Sequence, residues 1–253
     1  MSPTIIGLLV FACTFGGALF GIWLRSILPG HHLCNDTKDT VKVGIGLVAT
    51  MTALVLGLVT ASAKGAFDSL DTEIKQAAAK VMSLDRALAR YGPETAEARQ
   101  MLRSVIVKRV ELTWPTVAGQ TAQVQTPLTT QFTEEVITLI RRLSPQTDDQ
   151  RWLQSRALDL GEGLLEARWT IFAGMGTAIP IPFLTVLIFW LTITFTSFGL
   201  FAPRNPIAIV TFVVCAMSVG SAVFLILELD GPFAGLLRIS PNPFIFVISQ
   251  MGH

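Results

Sequence analysis

The side chains best placed for chemistry in this chain share one stripe of one helix, and they suit passage of a solute more than bond making. Ala49, Ala53, Gly57, Ala61 and Gly65 recur every four residues, which puts them on one helical face where another backbone can approach closely. Gly46, Thr50, Thr60 and Lys64 share that broad face, and Asp68, Asp71 and Lys75 follow it. The face changes from small and mildly polar to charged without a break. Such a pattern suits a tightly packed membrane bundle or the wall of an aqueous path.

No signature of covalent chemistry accompanies it. The chain lacks G-x-S-x-G, G-x-x-x-x-G-K, H-E-x-x-H and a nucleotide-binding glycine pattern, so no enzyme activity is expected. His31 and His32 are adjacent and would diverge by about 100° on a helix, a poor start for one metal site. Cys13, Cys34 and Cys215 fit neither a metal spacing nor a disulfide framework. No metal, cofactor or nucleic-acid partner is expected. Net charge is +1, with no basic run. Glu134-Glu135 and Asp148-Asp149 read as acids at helix starts, where the helix dipole favours them.

The elements that hold the stripe follow from composition. Hydrophobic residues make up 51% and charged residues 15%, against roughly 25% charged in soluble domains. A bilayer core about 30 Å thick needs roughly 20 apolar residues in a helix. Four segments qualify: Thr4–Leu28, Val43–Ala63, Pro182–Ala202 and Ile207–Leu227. The first has no basic residue ahead of it and is too long for a signal peptide, so an uncleaved span is expected. Residues 1–63 and 182–230 then form the membrane part, 64–181 a helical cytosolic domain, and 231–253 a C-terminal tail.

Four spans put both termini and the 64–181 region on one side. Near the membrane ends that side offers Lys64, Lys75, Lys80, Arg168 and Arg238, against Arg25, Lys38, Lys42 and Arg204 on the other. The bias favours a cytoplasmic location.

The large region reads as helical. Phe67, Leu70, Ile74, Ala77, Val81, Leu84, Leu88 and Tyr91 form a seam at alternating spacings of three and four, ended by Gly92-Pro93. A second helix covers Glu94–Leu112. Ala118–Thr130, rich in Thr and Gln, reads as a loop. Phe132, Val136, Leu139 and Leu143 mark a third helix, stopped at Ser144-Pro145. Thr147 to Gln150 fits a capping box that opens a fourth, running to about Trp169.

Other polar or small residues mark the spans. Glu228, Asp230 and Arg238, with Arg204, are charges at the membrane boundary, where ionisable groups are costly unless solvated, paired or functional. They read as solvated interfacial charges, a collar at the mouth of a path, or an anchor for the tail. Thr185, Phe189, Thr192, Thr196 and Gly199 share a face whose hydroxyls can bond back to their own helix or meet a partner. Gly17 and Gly21 form a G-x-x-x-G, a device for close helix contact.

Several stretches together carry a resemblance. They are Gly46–Thr50 running on to Ala61–Asp68, then Phe198–Asn205, Leu227–Phe233 and Gly235–Ser240. Over essentially its whole length the chain resembles the bacterial bestrophin-like membrane proteins, a domain family of unknown function, and more distantly the bestrophin chloride channels. The resemblance implies an all-α integral protein of the bacterial inner membrane, with two spans, a cytosolic helical region and two more spans. It also implies a homo-oligomer, a pentamer in true bestrophins, with the second span lining a central pore for small anions. No acidic calcium clasp of the eukaryotic kind is present, so calcium gating is not implied. Two faces of the second span are open as the pore wall. One is small: Ala49, Thr50, Ala53, Gly57 and Thr60. The other is bulky: Leu47, Met51, Leu54 and Leu58, able to gate by dewetting.

Two functions are therefore expected in competition. One is an anion channel with its second span as the wall and Lys64 at the inner end. The other is a non-conducting structural or accessory subunit, lipid-embedded, whose helical domain docks a partner protein.

Overall fold

The computed structural model describes residues 2–28, 35–114, 127–173, 181–203, 205–233 and 235–251, with the side chains of 35–38, 127–133 and 181 outside the description. His31, His32, Cys34 and Arg204 therefore lie outside the described residues. Every regular element among those described is helical. The elements are α1 (Pro3–Ile27), α2 (Asn35–Tyr91), α3 (Ala96–Thr113), α4 (Pro127–Arg141), α5 (Asp148–Ala173), α6 (Ile181–Phe201), α7 (Pro206–Leu229) and α8 (Asn242–Gln250). The chain divides into two compact units, one of residues 1–65 and 177–230, the other of 66–176 and 231–253.

The first unit holds four helices long and apolar enough to cross a membrane. In it α1 packs on α6 and α7. The approach of α1 to α6 is possible only without side chains: a Cβ on Gly21 would sit 2.0 Å from the Thr196 carbonyl oxygen, and one on Gly199 would sit 2.1 Å from that of Ala18. Val10, Leu187, Leu191 and Val223 form one buried cluster, and Ala18, Phe195 and Ala216 another. The hydroxyls of Thr192 and Thr196 donate back to the carbonyls of Ile188 and Thr192, each at 2.8 Å, so the threonine face of α6 satisfies itself while it meets α1. Phe189, on the same face by spacing, is exposed. Arg25, in the last turn of α1, donates from Nη1 to the Ala202 carbonyl just past α6. Asn205 caps α7 by accepting from the Ala208 amide at 2.8 Å, with Pro206 at the first helical position.

The second unit is built on the seam of α2. Leu70, Ile74, Ala77, Val81, Leu84, Leu88 and Tyr91 are all buried there, and Phe67 packs against the same core. Helix α2 is a single 57-residue element, about 85 Å long at 1.5 Å per residue. It ends at Gly92, whose φ of +139° suits glycine alone. Thr95 then closes the turn, donating to the Leu88 carbonyl at 2.6 Å. Asp85, 1% exposed, takes a two-pronged ion pair from Arg99, with Nε at 2.8 Å and Nη2 at 3.2 Å.

Several details differ from expectation. Helix α4 begins at Pro127, so 127–130 are helical rather than loop, with proline in its favoured first position. Glu134 and Glu135 therefore sit inside α4 and not at its start. Thr147 does accept from the Gln150 amide at 3.2 Å, but Gln150 reaches back to the amide of Gln146, at 2.8 Å, instead of Thr147's. Its amide group also caps α2 by donating to the Tyr91 carbonyl at 3.2 Å. The tail is structured: α8 buries Phe244 and Val247, and the Trp114 indole donates to the Ile239 carbonyl at 2.7 Å.

Candidate functional site

The apolar half of α2 uses one narrow face against its own unit. Ile45, Thr52 and Ala63 are buried, and Val55, Leu56 and Val59 pack beside them on the clusters that include Val223 and Ile226. Residues advance about 100° each around an α-helix, so Ile45, Thr52, Leu56, Val59 and Ala63 fall within about 60° of one another.

The bulky face lies elsewhere on the helix. Leu47, Met51, Leu54 and Leu58 are 65%, 48%, 74% and 68% exposed. By the same geometry they fall within about 60° of each other, centred about 140° round from the buried face. Four large apolar side chains thus point away from the unit that carries them.

The small ladder lies between those two faces. A repeat of four drifts about 40° per step, so Ala49 to Gly65 run as an inclined row from the edge of the buried face toward the bulky one. Ala53, Gly57, Ala61 and Gly65 are exposed and Ala49 is partly so. A Cβ added at Gly46, Gly57 or Gly65 would meet nothing within 4 Å. The ladder is open within one copy of the chain. Gly17 and Gly21, by contrast, lie against α6.

The hydroxyls of the stripe are already committed as donors. Thr50 donates to the Gly46 carbonyl at 2.8 Å and Thr60 to that of Leu56 at 2.7 Å. Outward they offer acceptor lone pairs, which repel an anion more than they hold it. Beyond the apolar part, Lys64 and Asp68 are exposed, and Asp71 pairs with Lys75 at 2.6 Å one turn on. At the end of α7 Glu228 is 6% exposed, so it is no solvated interfacial charge. Asp230 is partly exposed and Arg238 is exposed.

The second unit holds a site that the sequence reading passed over. Arg109 of α3 and Arg168 of α5 line a mostly apolar cavity of about 60 Å³. Arg168 is 6% exposed, and its Nε and Nη1 are buried without a hydrogen-bond partner. Burial pushes the Arg109 guanidinium down to about 10, and the charge of Arg168 adds to the effect. Burial also lowers Arg168, with the charge of Glu134 opposing it. The signal was present as register: Leu102, Ile106 and Arg109 follow one buried stripe, and Ala157, Gly161, Leu164 and Arg168 another.

A family model described as the bestrophin-like domain covers residues 12–244. No curated protein and no solved structure matches the chain.

Proposed function

The chain belongs to the bestrophin-like family, and on that premise we propose that it is a homo-oligomeric channel for small anions such as chloride. Four helices suited to a membrane and a family of membrane proteins support the setting. In this reading the helical unit and both termini face the cytoplasm of a bacterial inner membrane, and five copies surround one pore.

One observation carries the reading: the bulky face of α2 is turned away from its own unit and left uncovered. In a ring of copies the face opposite a subunit's own packing looks toward the axis, and the flanks look toward neighbours. Leu47, Met51, Leu54 and Leu58 then form an apolar constriction that gates by dewetting. The ladder of Ala49, Ala53, Gly57, Ala61 and Gly65 becomes the contact between adjacent α2 helices, where small residues let backbones approach. Thr50, Thr60 and Gly57 lie toward that contact rather than at the axis. Lys64 marks the inner mouth and raises local anion concentration.

The test is valinomycin-supported chloride efflux from liposomes holding the purified protein. Efflux above that of empty vesicles, with anion preference reduced about fourfold or more by Lys64→Glu, supports the channel. Absence of efflux from folded oligomeric protein contradicts it.

The same uncovered span supports a second reading, an accessory subunit whose α2 lies against a different membrane protein. Co-purification of a second protein at fixed stoichiometry would favour that reading over a ring of identical copies.

A further inference from the structure

Buried arginines are costly unless a partner answers their charge. Arg168 has two guanidinium nitrogens buried with no partner, and a second guanidinium, that of Arg109, lies on the same cavity. Among the described residues, neither one forms an ion pair. Glu134 of α4 is near enough for its charge to act on Arg168, yet it makes no ion pair with it. Trp169 gives Arg168 only a ring face, at 5.9 Å from the guanidinium carbon.

The rest of the cavity is apolar. Its wall is mainly aliphatic and aromatic, with residues such as Val81, Ile106, Ile137 and Phe244. The Trp114 indole on that wall is committed to the Ile239 carbonyl, and the Thr113 hydroxyl is the remaining neutral polar side chain there. A volume of about 60 Å³ leaves room for about four to six water-sized groups. A bare inorganic anion would exchange its hydration for hydrocarbon on most sides. An anion with a short apolar tail would match both parts of the wall.

We propose that Arg109 and Arg168 bind the carboxylate of a short-chain alkyl carboxylate, whose tail of about three to five carbons fills the cavity of the helical unit. Nε and Nη1 of Arg168 are donors without partners on two edges of the planar guanidinium, so a carboxylate can take a charge-assisted hydrogen bond from either. Arg109 supplies the second positive charge. The site stands whether or not the protein conducts.

Isothermal titration of the full-length protein with pentanoate tests this. The controls are 1-pentanol, which keeps the tail, and acetate, which keeps the head. Pentanoate should bind and raise the unfolding temperature, while each control binds at least about tenfold more weakly. Arg168→Met should weaken pentanoate at least tenfold and, by removing an unanswered buried charge, should not lower the unfolding temperature of the free protein. Arg168→Lys should retain weak binding. No pentanoate binding to the wild type overturns the proposal, a result that needs no variant to fold. Undiminished binding to Arg168→Met overturns it as well. Dissociation of the oligomer by Arg168→Met also overturns it, since a carboxylate of a second copy would then be the natural partner.

Discussion

Leu54 and Ala63 stand on opposite sides of α2: nine residues apart, they are separated by about two and a half turns, with Leu54 74% exposed and Ala63 1% exposed. That relationship orients the helix. The side bearing Ala63 belongs to the subunit's own bundle, and the side bearing Leu54 belongs to whatever surrounds it.

Glycines of two kinds should respond differently to substitution. Gly21→Ala places a methyl group against the Thr196 backbone, 2.0 Å from its oxygen, and should destabilise the subunit by about 1–3 kcal/mol or more. Gly57→Leu meets open space within one copy. It should leave the subunit's unfolding temperature within a few degrees of wild type but shift the oligomer to smaller species in size-exclusion chromatography with light scattering. An unchanged oligomer would remove the ladder from the subunit contact.

The buried ion pair should be asymmetric. The Asp85 side chain is 2% exposed and that of Arg99 25%. Arg99→Met strands a carboxylate in the core and should cost about 3–5 kcal/mol. Asp85→Asn leaves an arginine that can turn to water and should cost less. Chemical denaturation of the two variants ranks them directly.

The C-terminal segment should loosen when its anchor is lost. Trp114→Phe keeps the ring contacts to Phe233 and Phe244 but removes the donor to Ile239. The change should cost about 1–2 kcal/mol. Hydrogen exchange should rise across residues 239–251 while the amides of 74–88 stay protected. Uniform loss of protection would mean that Trp114 supports the whole unit instead.

Long periodic elements were readable from residues alone. The seam from Phe67 to Tyr91 is visible because core contacts repeat over three heptads; seven of its eight positions are buried and Phe67 is partly so. The four helices long and apolar enough to cross a membrane were visible because such runs stand out in composition whatever they pack against. Short elements were not. Helix α8 has nine residues, and its buried Phe244 and Val247 give too few turns to establish a period. The start of α4 was hidden because 127–130 are mostly polar, and Pro127 looks like a loop residue until a helix follows it. Which face of α2 the chain itself uses could not be chosen from spacing, since both stripes are regular; the burial of Ile45, Thr52 and Ala63 supplies that direction. Arg109 and Arg168 were passed over because charge in a polar region reads as solvated surface, although both lie in core register.

The most direct test of the central claim is thiol modification of the bulky face. Leu54→Cys, in a background where Cys13, Cys34 and Cys215 are serine, would be reconstituted in liposomes and treated with a negatively charged methanethiosulfonate. Chloride efflux through the variant should fall by at least about tenfold after modification, while Ala63→Cys, at a position buried within one copy, should be unaffected. Robust efflux that survives complete modification at Leu54 would contradict the placement of this face on the anion path.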